Sequence, residues 1–274
     1  MREESLKNPA TGKDVAKKIA PSKPRTQFIN RNSLVWRAFC LVFSIIFVLA
    51  GWHITALLLN TPALPVPAEA AGVFVKYAAE IAPSFQVSFF RLFISLLIGT
   101  VLGMPVGLFL GRSKWFGDLF SPVLYILYPL PKIVLLPILL VVLGLGGVPK
   151  IALISITVFF QVVVVMRDAT RAVPEQTIDS LRALSARSLQ IWRYVVVPAT
   201  LPQLFTTLRV SSAVGIAVLF FAESIAGSTG LGYFIMNAWS MVNYPRMFAG
   251  IIALAILGVI FYVVFDFVER KLRH

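Results

Sequence analysis

Residues 88–111 read SFFRLFISLLIGTVLGMPVGLFLG. The run holds a single charge, Arg91, and matches the roughly 20 apolar residues with which a helix crosses a bilayer core. Within it Ser95, Gly99, Gly103, Gly107 and Gly111 place a small residue at every fourth position. On a helix these positions form one slowly drifting stripe, along which a second backbone can approach closely. Lipid offers no hydrophobic force between helices, so the stripe reads as a packing face, internal to the chain in preference to a subunit contact. Pro105 predicts a bend in the helix.

Five further apolar runs surround this one: Leu34–Leu59, Leu119–Leu145, Ile151–Met166, Leu204–Ala226 and Met247–Val268. The run over 119–145 contains Pro122, Pro129, Pro131 and Pro137 and is expected to be kinked or partly unwound. The run over 151–166 is short for a full crossing. Composition agrees with this map. The 274 residues are 58% hydrophobic and 14% charged, against roughly 45–50% and about 25% in soluble domains. Mean hydropathy is +0.84. A soluble enzyme, a disordered chain and a collagen-like fibre are excluded. Long unbroken apolar runs also differ from the alternating strands of an outer-membrane barrel. The expected fold is all-α: a polytopic membrane protein with six transmembrane helices over 34–274. A polar, Lys-rich tail over 1–33 precedes it, with Pro9, Pro21 and Pro24. The tail does not read as a cleavable signal, because its polar lead is too long and the next apolar run exceeds an h-region.

The net charge of +13 follows from topology. With the N-terminus in the cytoplasm, 20 of the 25 Lys and Arg fall on the cytoplasmic side. Lys76, Lys150 and Arg246 fall outside, and Arg91 and Lys132 lie within spans. This obeys the positive-inside rule and places both termini in the cytoplasm of a multi-pass plasma (inner) membrane protein in the lipid bilayer. No nucleic-acid partner is needed to explain the charge. Trp52 and Trp239 lie near outer span ends, as in interfacial aromatic belts. Cys40 is the single cysteine, and His53 and His274 are far apart, so no disulfide, metal site or cofactor is expected. His53 receives no role.

Residues 167–203 form the longest polar interruption after the tail. Pro174 marks a helix start, and Ile178, Leu181 and Leu184 give that helix an apolar edge. Ser185 or Ser188 is placed to cap a second helix through Trp192 and Val197, ended by Pro198. Arg182, Arg187 and Arg193 face the cytoplasm in this reading. An ordered element of this length, where a connector needs only a few residues, reads as a docking surface.

Asp179-Ser-Leu-Arg-Ala-Leu-Ser185, with Ile191 and Pro198 six and thirteen residues after Ser185, resembles the cytoplasmic coupling loop of binding-protein-dependent ABC importer permeases. The family pattern is Glu-Ala-Ala, three residues, Gly, then Ile and Pro at those spacings. The resemblance extends to the sulfonate/nitrate/taurine branch: Leu64-Pro-Val-Pro67, Ser88-x-x-Arg91 with the glycine ladder, Pro129-Leu-Pro-Lys132, Leu136-Pro137, Gly144-Leu-Gly146, Ala222-Glu223 and Gly230-Leu-Gly232. It covers 64–272. The departures are Asp179 for Glu, Ser180 and Leu181 for the two Ala, and Ser185 for Gly, whose turn costs Ser more if φ is positive. The resemblance implies a permease homodimer, two cytoplasmic ATP-binding subunits and an extracytoplasmic solute-binding protein. It assigns ATPase docking to Asp179, Ser180, Leu181, Leu184, Ser185, Ile191 and Pro198. The implied solute is a small anion of the sulfonate, taurine, nitrate or bicarbonate type, with a thiamine-precursor pyrimidine as the alternative. GLFLGRSK over 107–114 does not fit the phosphate-loop pattern G-x-x-x-x-G-K-[ST], so catalytic residues are not expected on this chain.

Lys132 and Glu223 lie within spans and are read as facing the translocation pathway or pairing, because a charge inside a membrane needs water or a partner. Lys132 is either a counter-charge for an anionic solute or the structural partner of Glu223. Arg91 is expected to snorkel to the headgroups. Gly227, Gly230 and Gly232 are read as an external gate loop or a plain turn. A stand-alone ion-driven carrier would show internal repeats and paired intramembrane charges, and a membrane-embedded enzyme would show clustered Asp, His or Glu. The two halves show no convincing similarity, the buried ionisables are few, and the clustered residues of an enzyme site are lacking.

Overall fold

The computed structural model describes residues 34–272, and all regular structure among them is helical. The tail over 1–33 and the last two residues lie outside the described residues. The chain divides into a unit up to Trp52 and a unit from His53 onward. The first unit contributes most of α1 (Leu34–Leu59), where Phe39, Phe43 and Phe47 stack at 6.4 and 6.3 Å along one face, the i,i+4 register of a helix.

The second unit is built around α2 (Pro67–Arg112), a helix of 46 residues, about 69 Å at the α-helical rise. Pro67 occupies its first turn, where a missing N–H costs nothing, and Glu69 complements the helix dipole. The sequence reading placed the start at Ser88, and the helix begins far earlier. Residues 67–87 carry charges and so look unlike a span, yet they retain helix-forming Ala and Glu. α2 continues through both Pro83 and Pro105.

The small-residue stripe of α2 lies against α5 (Val148–Arg171) within the same chain. A Cβ added at Gly99 would lie 2.7 Å from the Val158 Cβ, at Gly107 2.7 Å from both Met166 Cβ and Val163 O, and at Gly111 2.6 Å from Thr170 Cβ. Gly103 meets Phe159 O at 3.0 Å, and the Ser95 hydroxyl donates to Arg91 O at 2.6 Å and to Ile151 O at 3.2 Å. Backbone lies against backbone along this seam. Gly107→Ala is therefore expected to destabilise by about 1–3 kcal/mol, as overpacking does. Gly72→Ala, where a Cβ meets nothing within 4 Å, should stabilise by roughly 0.5–1 kcal/mol through helix propensity alone. Thermal unfolding of the two purified variants checks the opposite signs.

α3 (Lys114–Leu127), a 3₁₀ turn (Lys132–Leu135) and α4 (Leu136–Leu143) form a pair bent by 84°, where the proline-rich third span was expected to kink. Counting this pair as one span, the described residues hold up to six candidate crossings. α5 is 24 residues long, not the short run of 151–166. Near its C-terminal end the buried Arg167 is satisfied by Asp168 at 2.7 Å, Tyr125 at 3.0 Å and Ser121 at 3.2 Å. After α6 (Glu175–Ala183) and α7 (Ser188–Ile191), a π-helical turn (Trp192–Val196) leads directly into α8 (Val197–Ala226). Pro198 therefore does not end the helix, contrary to expectation. The Val197 N–H bonds to Trp192 O, and this wider turn accommodates a proline that would clash in a regular α-helix.

A short α9 (Leu231–Ser240) and α10 (Tyr244–Leu272) complete the unit. Arg209 of α8 pairs with Asp266 of α10 at 2.6 Å and with Glu269 at 3.3 Å. Leu92, Ile154, Leu219, Leu231 and Leu257, one each from α2, α5, α8, α9 and α10, are fully buried in one core.

Candidate functional sites: a polar two-helix element and a buried charge cluster

α6 begins after Pro174 in an extended conformation and ends at Ala183. Ile178 is buried and Leu181 half-buried against the core, whereas Leu184 is 78% exposed. The expected edge is thus split. Leu184 is the C-cap residue, where the chain leaves the helix and carries its side chain off the inward face. The next residue, Ser185, has φ +61°. Its N–H bonds to Arg182 O at 2.9 Å, and the Ala186 N–H reaches back to Leu181 O at 3.0 Å. These two bonds define a Schellman cap with a left-handed residue at the position glycine favours. Ser185→Gly should therefore raise stability by about 1 kcal/mol, read as a higher unfolding midpoint.

The second helix is capped by neither Ser185 nor Ser188. Arg187 is its N-cap residue, and its N–H donates to the Gln190 side chain at 2.7 Å. Ser188 is already helical, so its hydroxyl is past the capping position. Ile191 and Val196 are buried and anchor the element. Asp179, Ser180 and Pro198 are exposed, with Asp179 paired to Arg182 at 3.0 Å and the Ser180 hydroxyl on Gln176 O. Leu184, Leu189 and Tyr194 remain exposed, three large apolar side chains on an otherwise polar element.

The second site lies at the opposite end of α5 from this element. Glu223 of α8 is fully buried. Its carboxylate accepts from the Arg91 guanidinium at 2.7 Å, from the Ser88 hydroxyl at 2.8 Å and from the Gly232 N–H at 3.0 Å. Arg91 also donates to Thr229 O at 2.9 Å and Thr229 Oγ1 at 2.8 Å, and Ser88 Oγ accepts from the Leu231 N–H at 2.8 Å. Two residues of α2 and one of α8 thus hold the loop before α9 and satisfy that helix's first N–H groups, which otherwise have no intrahelical acceptor. Gly230 has φ +104°, and a Cβ there would fall on the Glu223 carboxylate. Gly232 lies against Phe220 O and Glu223 Cβ. These two glycines are packed against α8.

Two expectations are corrected here. Arg91 does not snorkel; only 9% of its surface is exposed, and it is the partner of Glu223. Lys132 does not pair with Glu223. Its ammonium donates to Leu127 O at 2.9 Å and to Tyr128 O, closing the end of α3, and lies 5.5 and 5.1 Å from the Tyr128 and Phe160 ring centroids. Lys150, counted from sequence as an external charge, is 1% exposed in the first turn of α5 and lies within electrostatic reach of Arg91 and Glu223. The sequence signal for it was present but unused: a Lys directly following the Pro149 that opens a helix.

A bundle of long apolar helices that carries a polar two-helix element at one end and a buried charge cluster at the other has the build of an integral-membrane protein. Residues 99–274 match the family of binding-protein-dependent transport system inner membrane components, and the chain belongs to it. It is 27% identical over 229 residues to the taurine transport system permease protein TauC of Escherichia coli K12, covering 81% of this chain and 83% of that protein. It is 29% identical to the putative aliphatic sulfonates transport permease protein SsuC of Bacillus subtilis 168, covering 82% and 83%. To the nitrate import permease protein NrtB of Synechocystis PCC 6803 it is 26% identical over 62% of each. An inward-facing structure of the MetNI methionine ABC transporter superposes with a TM-score of 0.62 at 22% identity, over 70% of this chain and 95% of that one. The fold is that of an ABC importer permease.

Proposed function

We propose that this chain forms the membrane pathway of an ATP-driven importer for a small anion of the sulfonate, taurine or nitrate class. Two copies associate, each engaging one ATP-binding subunit on the cytoplasmic face and together receiving solute from an extracytoplasmic binding protein. Both termini are cytoplasmic in this reading. The observation that carries it is the two-helix element, whose exposed Leu184, Leu189 and Tyr194 offer an apolar grip that a solvated connector has no use for. Asp179, Ser180, Leu181, Ser185, Ile191 and Pro198 shape that element. Glu223 borders the pathway at its outer end. Lys132 stiffens the bend of the third span, where an irregular backbone needs its carbonyls satisfied. The relatives named for taurine, sulfonate and nitrate transport support the solute class.

Reconstitution tests this directly. Vesicles holding the permease and its ATPase, supplied with binding protein, should accumulate labelled taurine or nitrate only with ATP. Uptake driven by an ion gradient without ATP would overturn the proposal and favour a carrier.

A further inference from the structure

Lys150 makes no hydrogen bond and no ion pair among the described residues, although it is 1% exposed. Nothing in the fold described so far uses it. Its nearest charges are Arg91 and Glu223, and Glu223 is already engaged by Arg91 at 2.7 Å, by Ser88 and by Gly232. The cluster therefore holds two cationic side chains against one carboxylate. A buried ammonium without a counter-charge of its own is costly to keep. An ionisable side chain kept in a membrane at that cost is a functional group by default.

Other features point the same way. Lys150 lies in the first turn of the 24-residue α5, whose N-terminus carries the positive end of the helix dipole. Arg91 reaches that N-terminus: its Nε and Nη2 lie 3.6 and 3.9 Å from the Cβ position of Gly147, the N-cap residue. The guanidinium, the ammonium and the helix end thus converge, with one carboxylate among them.

We propose that Lys150, together with Arg91, forms a binding site for an oxyanion, of the sulfonate or nitrate kind, at the outer end of the pathway. The inference rests on the transport function proposed above and adds a place where the solute's charged group is held. Lys150 supplies the unshared cation, and the α5 N-terminus favours negative charge beside it. Lys150 is only 1% exposed in the conformation described here, so an anion reaches it when the cluster opens.

The test uses the permease assembled with its ATPase in phosphatidylcholine nanodiscs. Its unfolding midpoint is titrated with sodium methanesulfonate and, in parallel, with dimethyl sulfone, a neutral isostere. The wild-type midpoint should rise saturably with methanesulfonate only, as for a ligand that binds the folded state. Lys150→Met should unfold at a higher midpoint without anion, because an unshared buried charge is gone, and should not respond to methanesulfonate. Lys150→Arg should keep the response. In the vesicle assay Lys150→Met should lower uptake about 10-fold to 100-fold, the worth of a charge-assisted hydrogen bond.

A wild type that ignores methanesulfonate, or a Lys150→Met variant that titrates like it, overturns the site. A Lys150→Met variant of reduced midpoint does so too, since it would reveal a structural tether. If wild-type vesicles show no ATP-driven uptake, the transport function fails independently of these melting curves.

Discussion

Glu223→Ala is expected to be the most damaging single change in the chain, lowering stability by about 3–5 kcal/mol, the usual cost of stranding a buried charge. The carboxylate is fully buried and anchors Arg91, Ser88 and the Gly232 N–H at once. Its removal leaves Arg91 and Lys150 facing each other with no anion between them, and frees the loop before α9. Arg91→Met combined with Glu223→Leu removes both charges of the pair. It should recover much of the loss, because an apolar replacement of similar size avoids the desolvation cost. The unfolding midpoints of the single and double variants give the coupling between the two sites. Additive losses, or a Glu223→Ala variant that melts with the wild type, would show that the pair does not hold α2, α8 and α9 together.

Leu184→Asp with Leu189→Asp should abolish co-purification of the ATPase and ATP-driven uptake while leaving the permease folded. Both side chains are 78% exposed, so their loss costs the fold no more than about 0.5 kcal/mol each. Across a docked interface the same change buries two unpaired carboxylates and should reduce affinity at least about 100-fold. Ile178→Asp serves as the contrast, because Ile178 is 1% exposed and the variant should lose midpoint and partner together. A Leu184→Asp/Leu189→Asp permease that still retains the ATPase would remove the docking role from this element.

Most of the span map was legible because lipid imposes a length and an apolar character that any sequence run displays directly. The bend in the third span was legible for a similar reason: Pro129 and Pro131 remove backbone donors wherever they occur. Helix that lies beyond the apolar stretch was not legible. Residues 67–87 are helical by propensity and packing, and hydropathy carries no signal for either. Pro198 misled because a proline normally stops a helix, and a π turn that absorbs one is visible only in the backbone. Arg91, Glu223 and Lys150 were each visible as charges in the wrong solvent, but their grouping was not. It depends on three helices meeting, which no spacing along the sequence reports. In the two-helix element, Ser185 was readable as a residue at a glycine position, whereas the split between inward Ile178 and outward Leu184 required the cap geometry.

The π turn at 192–196 has a mechanical consequence. Because it joins α7 to α8 without a loop, residues 188–225 form one continuous stretch of helix, 38 residues long. That is a rod of roughly 57 Å, with Leu189 near one tip and Glu223 near the other. A rod transmits rotation that a flexible hinge would dissipate. Pivoting about its midpoint by about 5°, it carries each tip through roughly 2.5 Å, enough to part hydrogen bonds that fail beyond about 3.5 Å. A small push on the Leu189 tip is therefore long-armed leverage on the Arg91–Glu223 clasp at the other end of the rod.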